Sequence, residues 1–189
     1  MGIYKTLLYP FSTTTSFFEG YAWAIELALR LNAKLQLFTV IPGSDEASVD
    51  KAYQSLLAAH GYYLHHFNHD TSNQSRLIQE RFIVRGEIKD GLIMHLKNNP
   101  VDIMIIDTVF QSLHRADMKE IVRESNGAIM LSDHMTETES SSSFSNTEYF
   151  YNQLLHAEFY KIPENFFSSL QHDHSAFNYL RKFFLKEKK

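Results

Sequence analysis

Ten histidines, many serines and scattered aspartates give this chain several ways to do chemistry on paper. His60, His65, His66 and His69 crowd together, and His65 with His69 has the i,i+4 spacing that puts two imidazoles on one helix face. Zinc would need further ligands, such as Asp70, and the sequence fixes none. Beside Tyr62, Tyr63 and Phe67 these histidines read as a polar helix face, and His172-Asp173-His174 carries less information still. No metal site is assigned. Ser12, Asp107 and His114 supply the residue types of a hydrolytic triad, but no Gly-x-Ser-x-Gly turn presents a nucleophile. No catalytic residue is assigned either, and the expectation is a protein that is not an enzyme.

Composition narrows the classes further. The 189 residues carry 18 basic and 22 acidic side chains, a net charge of −4, without the basic surface that phosphate backbones require. Nucleic acid is therefore not expected as a partner. With no cysteine there is no disulfide, thiolate metal site or catalytic thiol. Met1 to Thr6 lacks the features of a secretory signal, and no apolar run approaches the about 18 residues of a membrane helix. A cytoplasmic protein without membrane contact is the expectation. Gly2 and Thr6 fit a loose myristoylation pattern but read better as the approach to a buried strand. The basic end, Arg181 to Lys189, reads as a solubilised helix end favoured by the helix dipole.

The elements that would position any site follow from periodicity. Residues 3–10 read as a strand closed by Pro10, and Ser12 to Thr15 offer caps to a following helix. On that helix Phe18, Tyr21, Ala22, Ile25, Ala28 and Leu29 form an apolar stripe, leaving Glu19, Glu26 and Arg30 to solvent. Leu35 to Ile41 is a second strand. Asp45 to about Asp70 reads as a helix with Val49, Tyr53, Leu56, Leu57, Tyr63 and Leu64 on its apolar side. A short strand from Arg81 to Arg85, a helix through Ile88, Leu92 and Leu96, and the apolar strand Val101 to Ile106 come next. A helix around Ala116 to Ser125 and a last strand, Gly127 to Leu131, complete the pattern. Five apolar strands alternating with four amphipathic helices predict an α/β domain, a doubly wound five-stranded parallel sheet covered on both faces.

That domain occupies residues 1–133. Residues 134–148, with Ser140 to Ser143, read as a Ser-rich linker. Residues 149–189 hold eleven aromatics and read as a helical extension, its pieces at 149–160, 166–170 and 177–185, packing on the domain or on a second subunit.

The arrangement over residues 2–133 resembles the universal stress protein family. The resemblance lies in the strand ending at Pro10, the helix Ala22-Trp23-Ala24-Ile25-Glu26-Leu27-Ala28, and Leu31 to Leu35 leading into the second strand. Val84-Arg85-Gly86, the helix from Glu87 and Val101 to Ile106 continue it. Nucleotide-binding members place an Asp two residues beyond the first-strand Pro, and this chain has Ser12 there. They carry glycines two residues apart after the fourth strand, where Asp107 and Phe110 stand here, and Gln111 to Asn126 has no glycine. Such glycines let backbone N–H groups approach phosphates.

The resemblance thus implies a non-catalytic stress-response or regulatory module with weak or no ATP binding and no cofactor. It would act as a homodimer through Gly127 to Leu131 and the tail, or with a protein partner. The alternative is a small-ligand protein or enzyme using the crevice where strand order reverses, at the carboxyl ends of the first and fourth strands. Its candidate rim is Pro10, Phe11, Ser12, Thr13, Val40, Asp107 and Thr108. A small polar ligand other than ATP could occupy it, or Phe11, Phe110 or the tail could fill it.

Overall fold

Leu7, Leu8 and Tyr9 are each fully buried, so the first strand has apolar layers on both sides. That pattern belongs to a central parallel strand, and the computed structural model places it there. The model describes residues 5–14, 17–42, 46–67, 77–132 and 158–161. Five parallel strands, β1 (Thr6–Pro10), β2 (Lys34–Ile41), β3 (Gln79–Arg85), β4 (Ile103–Asp107) and β5 (Ala128–Ser132), alternate with helices. The helices are α1 (Phe18–Arg30), α2 (Glu46–Phe67), α3 (Ile88–Asn98), α4 (Thr108–Leu113) and α5 (Met118–Glu124). A sixth strand, β6 (Glu158–Lys161), pairs antiparallel with β5, giving the order β3-β2-β1-β4-β5-β6.

Alternation along the strands builds two cores. Leu7, Tyr9, Leu35, Leu37, Ile103, Ile105 and Met130 face α1 and α2. Leu8, Phe38, Met104, Ile106, Ile129 and Leu131 face the opposite way, against Leu92 and Leu96 of α3 and Ile121 of α5. The period of two follows from the pleat. Each large side chain so buried contributes about 1.5–3 kcal/mol relative to exposure.

The doubly wound parallel sheet is as the periodicity predicts, with four local corrections. Glu26, read as solvent-facing, is 2% exposed and accepts a hydrogen bond from the Tyr63 hydroxyl at 2.8 Å. Trp23, Ala24 and Leu27, off the predicted stripe, are buried too, and α2 lies against α1 on the same face of the sheet, which brings Tyr63 to Glu26. On α2 the buried stripe is Ala52, Leu56, Ala59 and Tyr63, while Tyr53, Leu57 and Leu64 are exposed. Each of these three follows a buried residue by one position, about 100° round the helix.

The third correction is a short helix, α4, ahead of the expected helix near Ala116 to Ser125. The fourth concerns the tail, where residues 158–160 of the expected helical piece 149–160 form part of β6. The rest of 134–189, including the linker and the other helical pieces, lies outside the described residues, as do Met1 to Tyr4.

The amino end of β4 is tied to its neighbours through Asp102. Its carboxylate accepts from the Thr6 amide at 2.8 Å and from Lys5 Nζ at 3.5 Å, and its carbonyl from the Ala128 amide at 2.9 Å. Gly127 has to be glycine for this, since a Cβ there would sit 2.6 Å from the Asp102 carbonyl oxygen.

Candidate functional site

Strand order reverses between β1 and β4, since β1 lies between β2 and β4 while the chain reaches β4 last of the three. The carboxyl ends of these strands are where an open α/β sheet places ligands. Two chain segments meet there, the loop following Pro10 and the turn from Asp107 into α4.

Asp107 is 2% exposed and both its oxygens are engaged. Oδ1 accepts the Phe110 backbone N–H at 2.6 Å, so Asp107 caps the start of α4. Oδ2 accepts the Tyr9 hydroxyl at 2.5 Å. The Tyr9 oxygen also lies 3.2 Å from the Phe17 carbonyl, but its single proton goes to the shorter contact with the carboxylate. Burial, then the charge of Asp107 and its hydrogen bond, hold the Tyr9 hydroxyl well above the ordinary tyrosine range. Tyr9 therefore stays a donor across the physiological pH range. Helix α1 approaches this pair at Gly20, where a Cβ would overlap the Tyr9 hydroxyl and come within 2.7 Å of Asp107 Oδ2. No side chain larger than hydrogen fits without displacing them.

Aromatic rings close the same region. Phe11 is 1% exposed, packs at a tilt against Phe17 at 4.5 Å and lies roughly parallel to the Tyr9 ring at 6.5 Å. Its backbone is fixed to β2: the Phe11 amide donates to the Phe38 carbonyl at 2.9 Å, and Thr39 Oγ1 donates to the Phe11 carbonyl at 2.8 Å. Phe110 is equally buried and the His114 ring packs on it at 4.6 Å. Burial lowers the pKa of His114, with Asp117 acting in the opposite direction. Polar groups reach the surface only one step out, where the Ser12 and Thr14 hydroxyls lie 2.7 Å apart and the Thr14 amide donates to Ser12 Oγ at 3.3 Å.

Of the residues read from the sequence as a crevice rim, Pro10 and Asp107 end β1 and β4, and Thr108 opens α4. Phe11 is interior; Ser12 and Thr13 are half-buried on the loop that continues from it. Val40 is set apart from these, packed against Gly91 of α3 together with Val84, on the other face of the sheet from Phe11 and Tyr9. The pattern reading overlooked Tyr9, Phe17 and Gly20. One signal was present in Asp107 followed three residues later by the apolar Phe110, a spacing typical of a capped helix start.

The three triad residue types do not assemble. Ser12 pairs with Thr14, Asp107 with Tyr9 and the Phe110 amide, and His114 packs at a tilt on Phe110; among the described residues no hydrogen bond joins them. Among those residues no three ligating side chains converge as a metal site would need. His60 meets the Tyr21 hydroxyl at 3.1 Å, and its pKa is lowered by burial and then by Arg81. His69 and Asp70 lie outside the described residues. No helix among the described residues is long and apolar enough to cross a membrane.

No protein-family model and no curated protein matches the sequence. Solved structures do. The universal stress protein from Archaeoglobus fulgidus, in complex with dAMP, superposes with a TM-score of 0.50 at 14% identity, covering 69% of this chain and 98% of that one. A universal stress protein in complex with cAMP is 17% identical, with a TM-score of 0.48 over 69% of this chain and 97% of its own. A protein of the same family from Burkholderia pseudomallei is 15% identical, with a TM-score of 0.39 over 68% of this chain and 95% of its own. Five parallel strands in the order β3-β2-β1-β4-β5, with helices on both faces, give this chain the fold of the universal stress proteins.

Proposed function

We propose that the protein is a cytoplasmic, non-catalytic stress-response or regulatory module that does not bind ATP and works through contacts with a second copy or another protein. One observation carries this reading: the buried Asp107 carboxylate at the carboxyl end of β4, bonded to Tyr9 and to the Phe110 amide. A phosphate brought to this place meets a fixed negative charge, a repulsion of about 4 kcal/mol at 4 Å in surroundings of intermediate polarity. The Phe110 N–H, a backbone donor that could have faced the phosphate, is already committed to Asp107. Gly20 lets α1 come close to the pair, on the side where a Cβ would lie within 2.7 Å of Asp107 Oδ2. The glycine-free stretch from Gln111 to Asn126 supports the same reading.

The second reading is a small ligand in the crevice. The Archaeoglobus structure with this fold holds dAMP, and Ser12 and Thr14 carry paired hydroxyls on the loop after Pro10. Native mass spectrometry of purified protein, alone and with MgATP or dAMP, separates the two. We expect the bare mass with MgATP and no saturable signal below millimolar concentration. Stoichiometric ATP would overturn the proposal. Saturable dAMP without ATP would favour the second reading.

A further inference from the structure

The inner edge of β5 is paired along its length with β4, from Ala128 opposite Ile103 to Ser132 opposite Asp107. Its outer edge presents a second row of N–H and C=O groups on an apolar strand, which is a template for any other strand. In this chain β6 takes that edge. Met130 stands opposite Phe159 and Leu131 opposite Glu158, and the register shifts between Ile129 and Met130. A strand of four residues with an irregular register makes few ladder bonds, so its hold is weak beside the five- to eight-residue strands of the parallel sheet.

The direction of β6 is informative. Two copies of a chain related by a two-fold axis present the same strand to each other in antiparallel sense. The antiparallel β6 therefore occupies the edge in the sense that the β5 of a second copy would. The geometry points to a latch: Glu158–Lys161 closes the β5 edge within one chain, and its release exposes a surface that pairs with β5 of a second copy. This deepens the contact-based function above and rests on it.

Residues 133–157 keep β6 covalently attached, and attachment gives such a strand an effective concentration of about a millimolar. The closed chain prevails in dilute solution, and a small perturbation of a four-residue strand shifts the balance. The dimer expected from the family resemblance, through Gly127 to Leu131, then forms only after β6 has left that edge.

The chain lacks cysteine, so a cross-link can be placed cleanly. Full-length wild type, Leu131→Cys/Glu158→Cys, Phe159→Pro and Tyr160→Asp are compared by light scattering over a concentration series. Circular dichroism selects the variants that fold, and non-reducing electrophoresis locates the cross-link. The oxidised pair is expected to be an internally linked monomer at every concentration. The strand-breaking variants should dimerise at a concentration at least tenfold below wild type. An interchain disulfide, a wild-type dimer that the lock leaves intact, or a folded strand-breaking variant that associates no more than wild type would each overturn the latch. Nucleotide retention on the same samples is read separately, so a failed latch and a failed functional reading are distinguishable.

Discussion

Two aspartates, Asp102 and Asp107, bracket β4, and they do opposite things. Asp102, at the amino end, has a side chain 39% exposed and accepts from Lys5 and the Thr6 amide in contact with water. Asp107, at the carboxyl end, is 2% exposed and gives both oxygens to groups of the protein interior. One residue type at two ends of a five-residue strand thus serves as a wet clasp and as a sealed one. In a parallel sheet the carboxyl ends ordinarily hold the ligand, so the sealing matters: the charge is spent on the protein's own helix start and on Tyr9.

Replacing each aspartate with alanine should separate the two ends most strongly. Asp107→Ala leaves the Phe110 N–H and the Tyr9 hydroxyl buried without their acceptor and removes a helix cap. We expect a loss of about 3 kcal/mol in urea unfolding. Asp102→Ala, at the solvated end, should cost about 1 kcal/mol or less. Equal losses would erase the distinction.

Gly20→Ala sharpens the comparison without touching either carboxylate. Alanine improves helix propensity by up to about 1 kcal/mol, yet its methyl would strike the Tyr9 hydroxyl. A net destabilisation of about 1–3 kcal/mol is expected by thermal unfolding, and a gain in stability would show that the sealed end is loose.

The smallest effect concerns pH. Burial lowers the pKa of His114 at the sealed end, so the unfolded chain takes up its proton first, near pH 6.5. Its contribution to stability is present above that pH and is lost as pH falls through the depressed folded value. His60 and His95 are lowered by burial too and act in the same direction. Urea unfolding at pH 7.5 and 5.5 should show a lower midpoint in acid, and His114→Gln should reduce the difference. An unchanged acid limb in that variant would exclude a part for His114.

Most of the sheet was readable because its cause is local. Val101 to Ile106 and Ala128 to Leu131 are apolar runs bounded by Pro100 and Gly127, and the stripe on α1 repeats at helical spacing. What escaped depends on neighbours distant in sequence. Glu26 reads as a surface residue until Tyr63, on another helix, supplies its donor. Tyr9 reads as one more apolar strand residue until β4 arrives beside it with Asp107. Asp107 follows directly on the predicted fourth strand, but its employment as a helix cap is hidden because the six-residue α4 is too short to show a period. Glu158–Lys161 has no strand signal of its own beyond two aromatics, and an available edge decides its conformation.

The burial of α1 has a dynamic consequence. Residues Tyr21 to Ala28 are all buried, and even their charged member, Glu26, is tied to Tyr63 of the neighbouring α2. No local opening exposes this stretch alone, because lifting it from the sheet also breaks its contact with α2. Amide hydrogens there exchange only when the whole domain unfolds, so their rates report global stability. Those of β6 exchange through a far smaller opening.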